Sequence, residues 1–247
     1  MSARKVYRIS GKDHVAFLQN LVTNDVARVA DGLVWTALLT PQGKYLADFF
    51  LVPEGDAILL DVAEPLAAGL AQRLTMYKLR ADVTIEATGI DVARGVGPVP
   101  EGAFADPRDP SLGWRAYDGR KGEDADWEAL RIALGVPESG VELLPNESFP
   151  LEVCFERFHG VDFKKGCYVG QEVTARMKHK TELRKGLARV RVTGKAEVGT
   201  EILNGAGKLA GTLHSQAGGA GLAHLRFDRV DDSLTAGSAT VEMLPWD

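Results

Sequence analysis

Sulfur and long apolar runs are what this sequence holds least of. Cysteine occurs twice in 247 residues, as Cys154 and Cys167, so neither a disulfide framework nor an all-cysteine metal site can be built within one chain. Any metal cluster held here needs ligands from a partner, a cofactor or a second copy. No run approaches the length of a membrane span, and the start MSARKVYRISGKDHV lacks the apolar core of a secretory signal. The expectation is therefore a cytoplasmic chain with both cysteines as thiols. Aromatic residues make up only 7% of the chain, and no interleaved aromatic platform accompanies its basic run, so RNA or tRNA binding is not expected. The five histidines are scattered without zinc-like spacing, and no stably bound metal is expected. A net charge of −5 argues against a broadly basic surface without excluding one basic groove.

What is present is an ordinary globular composition, 45% hydrophobic and 26% charged, long enough for one large domain or two to three small ones. Residues 6–9 read as a strand, and Ser10 to Asp13 has capping-box spacing with Asp in place of Glu. A helix follows over 13–22 with Val15, Leu18, Leu21 and Val22 as its apolar stripe. Thr23, Asn24 and Asp25 end it, with side chains suited to hydrogen-bonding exposed backbone or a ligand. Segments 33–39 and 45–52 form a hairpin through the turn Thr40-Pro41-Gln42-Gly43. Alternation then puts Leu46, Asp48, Phe50 and Val52 on one face. Asp48 sits either at a cavity or on a solvent-facing side, because a carboxylate buried unpaired is costly.

A further strand over 57–62, a helix opened by Pro65 with Leu66, Leu70 and Leu74 on one face, and a strand over 81–86 complete an α+β unit with a mostly antiparallel sheet. Residues 95–122 are rich in Gly, Pro, Asp and Arg and read as loop and turn at a subdomain boundary. Asp126 caps a short helix carrying Trp127, Leu130 and Leu134, closed by Gly135. Beyond Gly186, short strand-like runs separated by Gly-rich turns give the pattern of a small barrel. The expected organisation is an α+β region over 1–183, two interleaved subdomains, followed by a barrel over 184–247.

The chemistry concentrates in residues 160–180, GVDFKKGCYVGQEVTARMKHK. Cys167 follows Lys164 and Lys165, and Val169, Val173 and Met177 recur at helical spacing, so a helix starting near Gly170 aims its amides back at the thiol. Nearby cations and a helix N-terminus both stabilise a thiolate. The alternative is a cysteine that is merely a small buried hydrophobe beside solvated lysines. Cys154 lies among apolar neighbours and is expected to be buried and inert. Arg176, Lys178, His179 and Lys180, with Arg184 and Lys185, form a basic patch facing a folate tail, a protein or RNA surface, or water. Glu152 suits either a pterin ring or an ordinary salt bridge.

The run Lys165-Gly166-Cys167-Tyr168-Val169-Gly170-Gln171-Glu172 resembles the KGCYxGQE signature of the YgfZ family. Those folate-binding proteins are similar to the glycine cleavage T-protein, an aminomethyltransferase, and are implicated in iron–sulfur protein maturation. The likeness extends to the helix ending in LVTND, the TPQGK turn, the YKLR corner and the FPLE lead-in. It implies a T-protein-like folate-binding fold of interleaved α+β subdomains with a small C-terminal β-barrel, and tetrahydrofolate as cofactor. It also implies Cys167 and Lys165 as the reactive pair, with Lys165 favouring the thiolate. Asn24, Asp48, Glu152, Tyr168, Gly170, Gln171 and Arg176 would line the folate site, Asp48 and Glu152 holding the pterin. Iron–sulfur client or assembly proteins would be the partners. T-proteins carry a folate-contacting glutamate on the helix where this chain has Arg131-Ile132-Ala133. The resemblance thus points more to an accessory factor than to a turnover enzyme; the alternative is a folate-dependent aminomethyl or methyl transferase.

Overall fold

A computed structural model describes residues 3–180 and 182–246; the outer limits of the expected domains, residues 1 and 247, lie outside them. The body is built on one antiparallel sheet of five strands, β1 (Arg4–Ser10), β2 (Val34–Leu39), β3 (Tyr45–Glu54), β4 (Ala57–Ala63) and β5 (Thr84–Ala87), in the order β2-β3-β4-β1-β5. Both faces of this sheet are covered, which is why β2 and β4 are buried along their whole length. Phe49, Leu51, Leu60 and Val62 on one face pack against Leu18 of helix α1 (His14–Gln19) and Leu70 and Leu74 of α2 (Glu64–Tyr77). Trp35, Phe50, Val52 and Leu59 on the other pack against Leu112, Leu143, Phe155 and Tyr168.

Three local readings are corrected. The capping box does not form: Asp13 itself is the N-cap of α1, and its carboxylate accepts instead from the backbone N–H of Asp82 at 2.8 Å. The alternation along β3 breaks near Leu46, where the β2–β3 register shifts. Leu46 therefore joins the helix-covered face while Tyr45 shares the face of Asp48 and Phe50. Segment 95–122 is not loop alone. With Arg94 before it, it contributes to a three-stranded sheet of β6 (Ala93–Gly95), β7 (Phe104–Ala105) and β8 (Trp114–Ala116), ordered β6-β8-β7. Strands of two and three residues are too short to show a period.

Helix α3 (Trp127–Leu134) has the anticipated caps, Asp126 accepting from Ala129 N–H and Gly135 in the left-handed region. Helix α4 (Gln171–Lys180) leads to β9 (Lys185–Thr193), β10 (Glu201–Leu203), β11 (Leu209–Ala217), β12 (Ala220–Arg226), β13 (Thr235–Ala236) and β14 (Ala239–Met243). These close a six-stranded barrel in the order β10-β11-β12-β9-β14-β13 around Val190, Leu213, Ala223 and Leu225. Barrel and body are joined through Arg131 of α3, which is fully buried. Its guanidinium donates to Glu142 at 3.0 Å, to Ser215 of β11 at 2.9 Å and to Glu128.

Candidate functional site

Cys167 is exposed, whereas the Cys154 thiol is pushed up to about 12 by burial. Cys154 is half-buried and not sealed in the core as expected, but a thiol that keeps its proton is a poor nucleophile or ligand. The loop that carries Cys167 is fixed on both sides. Asp162 Oδ1 accepts from the N–H groups of Lys164 at 2.6 Å and Lys165 at 3.2 Å. Lys165 is 8% exposed, and its Nζ donates to the carbonyls of Gln19 at 2.7 Å and Val22 at 2.5 Å, at and just past the end of α1. Burial lowers its pKa to about 8 against the pull of Asp25 and Asp162. The expectation that Lys165 activates the thiol is corrected by this geometry: its ammonium satisfies carbonyls left over at a helix end, and it clasps the loop to α1.

On the other side of Cys167, Tyr168 inserts into the core beneath the sheet. Gly170, at φ +83°, stands where a Cβ would lie 2.6 Å from the Thr40 carbonyl oxygen. Gly43, at φ +76°, stands where a Cβ would lie 2.8 Å from Val173 Cβ. The β2–β3 turn and the start of α4 therefore touch backbone to backbone, as only glycine permits. Gln171 is the first residue of α4 and Arg176 is exposed on it. Part of the basic patch is already paired, Lys178 with Glu156 and Lys185 with Glu152.

Asp48 is 4% exposed and lies at a cavity, not on a solvated face. It accepts from Trp35 Nε1 at 2.9 Å, Tyr45 OH at 2.7 Å and Ser139 Oγ at 2.6 Å. The cavity, about 370 Å³, is also lined by Arg4, Arg94, Arg108, Arg115, Trp127 and Glu138. Arg108 grips Asp106 through two bonds of 2.9 and 2.8 Å, and Arg115 bridges Asp106 and Asp61. Burial pushes the Asp106 carboxyl up, but Arg108 and Arg115 hold it well below the usual range. Arg94 stacks 4.1 Å from the Trp127 ring centre, and burial, with repulsion from Arg115 and Arg108, lowers its pKa to about 9. Arg4 comes from β1 and Arg94 from β6, and Arg108 and Arg115 from the segment read as loop. Its one legible signal was Asp106-Pro107-Arg108, a spacing that lets the acid accept from both the backbone and the guanidinium two residues on.

The structure does not bring the expected folate contacts together. Asn24 spends its amide on the carbonyls of Trp35 at 2.8 Å and His159 at 2.6 Å, and lines a different cavity of about 500 Å³ with Arg28 and Phe104. Glu152 lines a third, of about 600 Å³, with Leu187 and Trp246. Joint contact of Asp48 and Glu152 with one pterin is thereby corrected. The Asp48 cavity has groups of the kind a folate would need, with the carboxylates of Asp48 and Glu138, the guanidiniums of Arg94 and Arg108, and a volume within the range of small-molecule sites. Among the described residues, no group of three or more His, Cys, Asp or Glu side chains could hold a metal ion.

Residues 184–247 match the family described as CAF17, C-terminal beta-barrel domain. The chain is 31% identical over 216 residues to the mitochondrial iron–sulfur cluster assembly factor IBA57 homolog of Mycosarcoma maydis, covering 74% of this chain and 54% of that protein. It is 29% identical over 279 residues to human mitochondrial IBA57, covering 95% and 78%. The chain thus spans about half the length of its fungal relative and more of the human one. In structure it resembles the glycine cleavage system aminomethyltransferase T of Bartonella henselae, with TM-score 0.74, 12% identity, 98% of this chain and 82% of that one covered. The chain is IBA57-like in sequence and has an aminomethyltransferase T-like α+β fold with a C-terminal six-stranded barrel. The expected cytoplasmic placement is overturned, because these relatives are mitochondrial proteins. Lack of an apolar secretory segment does not bear on mitochondrial targeting, whose segments are amphipathic and basic.

Proposed function

We propose that this IBA57-like chain is an accessory factor in the assembly or repair of iron–sulfur clusters, with Cys167 as its functional thiol. The observation that carries the reading is the contrast between two cysteines. One is half-buried with its proton held by desolvation, and the other is exposed on a loop clasped by Lys165 and Tyr168. A cluster or its iron is cargo here. One thiolate is too few for it, so the remaining ligands come from a client or assembly protein or a small thiol. The KGCYxGQE likeness to YgfZ proteins and the relatives' role both support this reading.

Tetrahydrofolate in the Asp48 cavity is part of the proposal. When bound it would supply the one-carbon and reducing chemistry of a reduced pterin. Asp48 would orient the ring through the one lone pair that Trp35, Tyr45 and Ser139 leave open, and Arg94 and Arg108 would hold its carboxylates.

Complementation of a strain lacking its own factor, scored by the activity of a cluster-dependent enzyme, tests the thiol. Wild type and Cys154→Ser should rescue, and Cys167→Ser should not. Equal rescue by Cys167→Ser would falsify the assignment.

A further inference from the structure

Two large apolar side chains stand in water at the end of α2, Met76 at 66% exposure and Leu79 at 86%. Lys78 caps the helix, and Leu79 just beyond it holds a left-handed backbone with φ +46°. That position is commonly a glycine, because a side chain there is crowded by its own backbone. Strain of this kind persists where packing or a task requires it, and a leucine this exposed packs on almost nothing. Neither residue lines a cavity described above, so the pair makes a projecting tip and not a groove.

The start of α1 meets this corner, since two hydrogen bonds join Asp13 and Asp82, and it adds the exposed Val15 and Lys12. Arg73 and Arg80 are exposed as well, while Lys78 Nζ donates to the Val83 carbonyl at 2.9 Å. Over residues 11–15 and 73–83, Lys12, Arg73, Lys78 and Arg80 outnumber Asp13 and Asp82, a locally positive corner on a chain of net charge −5. Apolar side chains ringed by cations match the surface of an anionic bilayer: the former enter the acyl boundary and the latter stay at headgroup level. A second copy seated across a two-fold axis would bring this positive corner against itself. A protein interface of standard size takes roughly 20–30 residues a side, far more than a tip of two or three apolar side chains offers.

We infer that the tip of Met76 and Leu79 docks the chain reversibly on an anionic phospholipid surface, with Arg73 and Arg80 meeting the lipid phosphates. The inference rests neither on Cys167 as a functional thiol nor on folate in the Asp48 cavity. Flotation of the full chain with vesicles of phosphatidylcholine alone, and of phosphatidylcholine with about one-third phosphatidylglycerol, tests it. The mixed vesicles should carry the chain and release it as salt is raised. Leu79→Gly should weaken that binding roughly fivefold or more without lowering the melting temperature, because it relieves the strained backbone. Arg80→Gln should weaken it several-fold, and Val198→Ser, at a 64% exposed barrel position, should leave it unchanged. The inference is overturned if the chain ignores the mixed vesicles, which would assign the tip to a protein socket. It is also overturned if neutral vesicles bind the chain equally well, or if Leu79→Gly binds like wild type. Should Leu79→Gly lower the melting temperature, Met76→Gln decides the matter: binding must fall several-fold, and unchanged binding rejects the tip.

Discussion

Lys165 shows how one side chain can be read correctly as important and wrongly as to why. Two residues before Cys167 in sequence, it is placed as an activating cation would be; in the fold its Nζ donates to the carbonyls of Gln19 and Val22, at and just past the end of α1. That gives a pH signature. Its folded pKa of about 8 lies below the ordinary 10.5, so between these values the unfolded chain holds a proton that the folded chain has released. Its contribution to stability therefore rises with pH across roughly pH 8 to 10.5 and is flat below. The melting temperature of wild type, measured against Lys165→Met, should gain as pH is raised from 7.5 to 10. A constant difference would mean the ammonium is not desolvated.

At the scale of elements, the contact that positions the thiol loop is the β2–β3 turn against the start of α4. Both glycines there have positive φ and no room for a Cβ. Gly170→Ala should destabilise by about 1–3 kcal/mol from backbone strain alone, and more if the Thr40 carbonyl cannot yield. It should also lower rescue in the cluster assay with Cys167 intact. Gly207→Ala in the β10–β11 turn, with positive φ but open space around it, separates strain from collision, because it should cost only the strain. Denaturant unfolding of the two variants checks the order; equal losses would show that the turn and α4 are not in contact.

Across the whole molecule, barrel and body are held together by apolar packing of Ile132, Leu187 and Leu222 and by the buried charges of Arg131 and Glu142. Taking away one member of such a pair leaves an uncompensated ion, so Arg131→Met should cost about 3–5 kcal/mol. Arg191→Met, which breaks an exposed pair with Glu242, should cost under about 1 kcal/mol. Urea titrations give both values, and a small loss for Arg131→Met would mean the seam is hydrated. Arg131, buried and bonded to Glu142 and to Ser215 of β11, serves the join between barrel and body.

Along the chain, the apolar period of α2, the caps of α3, the Gly43 turn and the short strands after Gly186 were legible because each is a local pattern of residues near in sequence. The octapeptide around Cys167 was legible as a resemblance for the same reason. What only the tertiary structure decided are pairings between distant segments: Lys165 with α1, Arg115 with Asp61, Arg131 with Ser215, and the separation of Asn24, Asp48 and Glu152 into three cavities. A sequence fixes which side chains carry charge and which strands alternate. Which carboxylate faces which guanidinium depends on how sheets and loops close over one another, where desolvation makes a correct partner worth several kcal/mol and a missing one equally costly.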